Sequence, residues 1–335
     1  MTADATPIGR RRLLVGLAAV TVTGCSPVDP AVTGGPTRPP LVPATTAPPP
    51  LAGSLPAAAL ETALAEQSST LLARQGLTPG LRDRLELVAA GHRVHALALS
   101  GPQPTLRPTS RPTATPPPDP PDPTRLPTLA GDRARAVAAL GDQIDAAATG
   151  YATTAWHTTG STALLWGSLA VSARMAADAI TRADPVTTPS AEPPAALPQV
   201  TDVAAAQQLL AQLHAIVWGY RTALAALGGG ARDRAAADLG VRMRSRDALV
   251  AWLAGRSARM PAAEPAYGVP VEPTSASRAG SLIMIMETDL LPFAGQWLAG
   301  CDDGSRRSAL DGLTASGLSS VYWGGPPRTW PGWPD

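Results

Sequence analysis

The chain has 335 residues, 37 of them proline, with one phenylalanine and no lysine, so arginine supplies all 27 basic side chains. The formal net charge is +1, which leaves no clustered basic field and excludes nucleic acid as a partner. Apolar content of 44% allows alanine- and leucine-rich cores with few aromatics, and the length allows two modest domains.

Residues 1–25 read as an export signal. Arg10, Arg11 and Arg12 form a basic head, and the apolar run from Leu13 to Val22 follows. That run is too short to span a bilayer, which needs about 20 residues, but suits a signal core. The tetrad Val22-Thr23-Gly24-Cys25 resembles a bacterial lipobox, in which the Cys thiol receives a diacylglycerol and becomes the new N-terminus. The competing reading is an ordinary cleaved signal with a chance cysteine. Arg10 and Arg11, followed by Leu13 and Leu14 after one spacer, also resemble a twin-arginine signal; a plain arginine-rich head reads the same way. The expectation is a lipid-anchored (diacylglycerol, palmitate-type) protein on the extracytoplasmic face of the cell membrane, with an unidentified envelope partner. Cys301, the other of two cysteines, then has no disulfide partner and is expected to be a small buried side chain.

Residues 26–54 are a proline-rich tether without apolar periodicity. In polyproline II form, at 3.1 Å per residue, it would reach on the order of 90 Å. Residues 55–183 form a first helical unit. One helix is expected over 55–76. A second is expected over 78–101, with Leu81, Leu85, Val88, His92 and His95 at 4-3-4-3 spacing. Residues 101–129 are proline-rich and expected to be a disordered insert. Helical pattern resumes near Gly131, as two helices broken near Gly160. A linker covers 184–200.

The second unit, 201–335, repeats the scheme. Helices are expected over 201–227, 231–257, 279–300 and 305–325, with a proline-rich crossover between the second and third and Pro292 inside the third. The second helix of each unit opens Arg-Asp-Arg (82–84 and 232–234), a faint sign of duplication. Each unit is thus two helices, a long crossover and two helices, a known variant of the four-helix bundle.

Several short motifs in 201–335 carry a resemblance. They are His214 with Trp218-Gly219-Tyr220, Arg244 to Leu249, Pro265-Ala266-Tyr267, Glu287, and Trp323-Gly324-Gly325-Pro326 with Pro331-Gly332. The segment resembles a ferritin-like domain family of unknown function from exported proteins of high-GC Gram-positive bacteria. The resemblance implies an all-α fold, here tandem ferritin-like four-helix bundles joined by proline-rich disordered segments. Members often carry Glu-His on the first helix and a His before the arginine cluster on the second. Here Leu213 stands for that Glu, and Val241 or Arg242 for the second His.

A carboxylate-bridged two-metal site in such a bundle needs Glu-x-x-His from two helices. The chain has no Glu-x-x-His, so no metal or cofactor is expected. His214 flanks the stripe Leu210, Leu213, Val217, Tyr220, Leu224 and Leu227, and is expected to form a buried polar pair with Glu287; the alternative is a degenerate metal-binding protein or oxidoreductase using that pair. His92 and His95 share a face and could clip one ion, but with no acidic or Cys partner nearby in sequence they are expected on a solvated face, as are Asp142 and Asp145. The tail's Trp323, Trp330 and Trp333 either clasp the bundle end or form an exposed aromatic strip. No G-x-S-x-G, P-loop or Cys-x-x-Cys is present, which removes hydrolase, nucleotide and redox anchors. The expected function is non-catalytic, a binding or structural role.

Overall fold

The computed structural model describes residues 51–100, 126–129, 131–182 and 200–334. The signal with Arg10, Arg11 and Cys25, most of the tether, most of the insert and the 184–200 linker up to residue 199 lie outside them. The described residues are all-α, with no strand: α1 (Ser54–Leu72), α2 (Pro79–Ser100), α3 (Arg133–Trp156), α4 (Gly160–Thr181), α5 (Asp202–Leu224), α6 (Gly229–Ala254), α7 (Ala276–Gly300) and α8 (Asp303–Tyr322).

The helix starts follow local chemistry. Asp132, Thr201, Ser275 and Asp302 each accept a hydrogen bond from the backbone N–H three residues on, capping α3, α5, α7 and α8. α7 continues through Pro292 as one element.

The helices pair as hairpins, α1 with α2, α3 with α4, α5 with α6 and α7 with α8, and the hairpins assemble into two four-helix bundles. The bundles share α4, which packs on α2 and α3 of its own unit and on α7 and α8 of the other. Two glycines set this approach. A Cβ on Gly167 would stand 2.5 Å from Leu298 of α7, and one on Gly317 of α8 would stand 2.8 Å from Val171 of α4. Contact on both sides explains why α4 is apolar all round. By composition it could cross a membrane, yet most of it is buried inside the protein.

One sequence boundary shifts. The expected disordered insert ends earlier than residue 129, because residues 126–129 are held against the first bundle. The Pro127 carbonyl accepts from Gln143 Nε2 (2.8 Å), and the Leu129 carbonyl accepts from Arg74 (2.6 Å). Leu129 is buried in the core. Side-chain donors just past α1 and on α3, rather than local sequence, fix this strip.

Candidate functional site

Each bundle buries one glutamate at its centre. In the first, Glu61 of α1 is 1% exposed and meets His92 and His95 of α2, at 3% and 2%. The expected solvated face for the two histidines is therefore corrected: their i, i+3 spacing puts both against Glu61 across the α1–α2 hairpin. His92 Nδ1 lies 2.6 Å and His95 Nδ1 3.1 Å from Glu61 Oε2. Tyr151 of α3 donates its hydroxyl to Oε1 at 2.7 Å. His95 Nε2 lies 2.8 Å from the Thr329 carbonyl in the C-terminal tail. A carboxylate and a carbonyl can only accept, so with both contacts made His95 donates from both ring nitrogens. His92 donates through Nδ1 and leaves Nε2 buried without a partner. Burial opposes ionisation of Glu61, but His92 and His95 outweigh it and hold the carboxyl far below the usual range. Burial, reinforced by Glu61, pushes the Tyr151 hydroxyl up.

In the second bundle Glu287 of α7 is fully buried. Its Oε1 accepts from Tyr220 of α5 (2.5 Å) and from Arg242 Nε of α6 (2.9 Å), while Oε2 has no partner. The Tyr220 hydroxyl lies 3.2 Å from Ser319 Oγ, which donates to Asp238 (3.0 Å). Arg234 and Trp323 also donate to Asp238. The expected His214–Glu287 pair is not formed. His214 is only partly buried, faces a backbone partner at Pro261, and has its pKa lowered by desolvation. The guanidinium of Arg242 takes the place expected for the imidazole. One turn of α5 separates His214 from Gly219 and Tyr220, and it is this later turn that faces α7: a Cβ on Gly219 would fall 2.2 Å from Met286 Sδ.

The two centres are variants of one arrangement. Each joins a glutamate, a tyrosine and a basic side chain from the second helix of the bundle. Glutamate and tyrosine exchange places between first and third helices: Glu61 on α1 with Tyr151 on α3, and Tyr220 on α5 with Glu287 on α7. Neither has the paired carboxylates of a two-metal centre, and in the second a cationic group already neutralises the carboxylate, so the residues do not fit that cofactor.

Glu61 was overlooked in the sequence although it carries a signal. Ala57, Glu61, Leu64, Ser68 and Leu71 are all buried and follow the same 4-3-4-3 spacing as the stripe ending in His92 and His95. Asp142 and Asp145 are exposed, as expected. Cys301 is 4% exposed, and burial pushes its thiol up to about 12. Trp330 and Trp333 are buried, so the tail clasps the protein, and it does so across both bundles: it touches His95 of α2 and runs against Gly295 of α7, where a Cβ would fall 1.9 Å from the Gly332 carbonyl oxygen.

A cleft opens where α6 stands off from α8. It holds about 470 Å³, within the range of small-molecule sites. Leu209, Leu213, Leu249, Trp252, Leu290 and Trp297 give it an apolar lining, and Arg244 of α6 and Asp311 of α8 also line it. Both charged groups are exposed.

Residues 204–335 match a family described as Domain of unknown function (DUF4439). The match takes in the second bundle and the tail, and leaves out Glu61, His92 and His95. The crystal structure of a conserved hypothetical protein, rv2844, from Mycobacterium tuberculosis is similar at 27% identity, covering 36% of this chain and 87% of that one, with a TM-score of 0.35. No curated protein matches.

Proposed function

We propose that the protein is a lipid-anchored binding protein of the cell envelope, in which the DUF4439-matched half takes up a small amphiphile. The cleft between α6 and α8 carries this reading. Its apolar lining suits an acyl-like body, and Arg244 and Asp311 suit a polar head. The Arg242–Glu287 pair supports a non-catalytic role, because the buried Glu287 carboxylate is already held by a guanidinium through Oε1. Two hairpins joined by a long crossover support a ferritin-like ancestry.

The anchor rests on Val22-Thr23-Gly24-Cys25 and the proline-rich spacer behind it. It places the bundles on the extracytoplasmic face, with the membrane itself as first partner. One chain binds membranes marginally and several bind stably, so mass spectrometry of the mature N-terminus should find a multiply acylated Cys25, and Cys25→Ala should remove it. An unmodified wild-type N-terminus would refute the anchor.

The cleft is tested separately by titrating a fluorescent acyl probe into the full chain in detergent. Ala248 lines the cleft and is exposed, so Ala248→Trp should fill it and weaken binding at least about tenfold without altering the fold. Equal binding by the variant would refute this site.

A further inference from the structure

We propose that Glu61, His92 and His95 bind a single divalent transition-metal ion beneath the C-terminal tail. This site is independent of the cleft and lies outside the matched family segment.

The donor set is the first argument. One ligand atom from each of the three residues falls within 4.8 Å of the others, and all three residues are buried. Two imidazoles and one carboxylate suit Zn, Fe, Co or Ni rather than Ca or Mg, which prefer oxygen ligands. With a single carboxylate, one divalent ion leaves a net charge of +1 and a second would leave +3, so the site takes one ion.

Geometry is the second. Tetrahedral ligands at 2.0–2.1 Å from a zinc-sized ion stand about 3.3 Å apart. The Nδ1 atoms of His92 and His95 lie 2.6 and 3.1 Å from Glu61 Oε2, so Oε2 needs to part from them by about 0.7 and 0.2 Å to reach that spacing. The ion takes the place of the Nδ1 protons: His95 releases one and keeps the Nε2–H held by Thr329, and His92 stays neutral by carrying its proton on Nε2.

Further observations point to a ligand rather than to a closed polar knot. Metal-binding histidines commonly donate their other ring N–H to a carbonyl, which fixes the ring. His95 has this contact, to the Thr329 carbonyl at 2.8 Å. His92 keeps a buried ring nitrogen with no partner. Beside both histidines lies a cavity of about 20 Å³, lined also by Ser172 and Thr329. That is room for one water-sized molecule beside the two rings. Tyr151 holds the second carboxylate oxygen and so orients Glu61 from behind.

The test uses the full chain in detergent, stripped with a chelator and dialysed against Co(II). The expected result is one Co(II) per chain with visible absorption of tetrahedral intensity. Affinity should fall at least about tenfold in His92→Gln, His95→Gln and Glu61→Gln. The remaining histidines of this four-histidine chain are His157 and His214, and the double variant His157→Ala/His214→Ala should bind as the wild type does. Absence of stoichiometric uptake by the wild type would overturn the proposal without reference to any variant. So would uptake that survives His92→Gln and His95→Gln in folded protein, or uptake abolished by the His157→Ala/His214→Ala variant. Failure here would leave acyl-probe binding at the cleft unaffected, and the reverse also holds.

Discussion

His95 of α2 and the Thr329 carbonyl of the tail meet at 2.8 Å, although 234 residues separate them in sequence. This contact ties the last segment of the chain to the polar centre of the first bundle. His95 also stacks edge-on with Trp330, ring centroids 4.8 Å apart. The tail is therefore a strap over both bundles rather than an extension of the second.

The strap can be lifted from a distance. A Cβ at Gly295 would fall 1.9 Å from the Gly332 carbonyl oxygen, a clash with backbone that no rotamer relieves. Gly295→Ala should displace the tail, lower stability by about 1–3 kcal/mol in urea denaturation, and red-shift tryptophan emission as Trp330 and Trp333 meet water. An unchanged spectrum and midpoint would show that the tail does not dock at Gly295.

Removing the guanidinium from the second centre leaves Glu287 buried and unpaired. Arg242→Met should cost about 3–5 kcal/mol. Arg242→Met/Glu287→Leu should recover most of that loss, since the orphaned charge is gone and Tyr220 retains Ser319 at 3.2 Å. Denaturation curves of the wild type, the two single variants and the pair measure the coupling. Purely additive losses would contradict the pairing.

Cys301 should be chemically silent in the native protein. Burial, offset only in part by Arg306, raises its thiol from an ordinary 9.0 to about 12. Alkylation at pH 9 should run roughly 500-fold slower in native than in urea-unfolded protein, because only the thiolate reacts. The same shift sets a sign for stability. Between pH 9 and 12 the unfolded chain loses a proton that the folded chain keeps, so stability falls as pH rises through that window and is unaffected below it. Cys301→Ala should flatten this alkaline limb; an unaltered limb would contradict the burial.

The fold was largely legible in the sequence. Eight helices follow from apolar periodicity, four of them capped by Asp, Thr or Ser, and the prolines mark the crossovers. The polar centres were less legible, because their partners come from helices far apart in the chain. His214 sits beside the stripe of α5, but Arg242 reaches Glu287 first, and one arginine among the five on α6 gives no sign of being buried. His92 and His95 have no acidic neighbour in sequence, yet Glu61 lies 31 residues before His92 on a stripe of matching period. A charged residue at an apolar register position on each of two consecutive helices was the readable sign of the pair.

The proposed binding site is the cleft between α6 and α8. Native mass spectrometry of the full-length protein, extracted from its own envelope and transferred to a fresh detergent, tests it most directly. The expected result is one non-covalent small amphiphile per chain, in addition to any acyl groups on Cys25, and its loss in Ala248→Trp. A wild-type protein carrying no such adduct, and binding no acyl probe in titration, would contradict it.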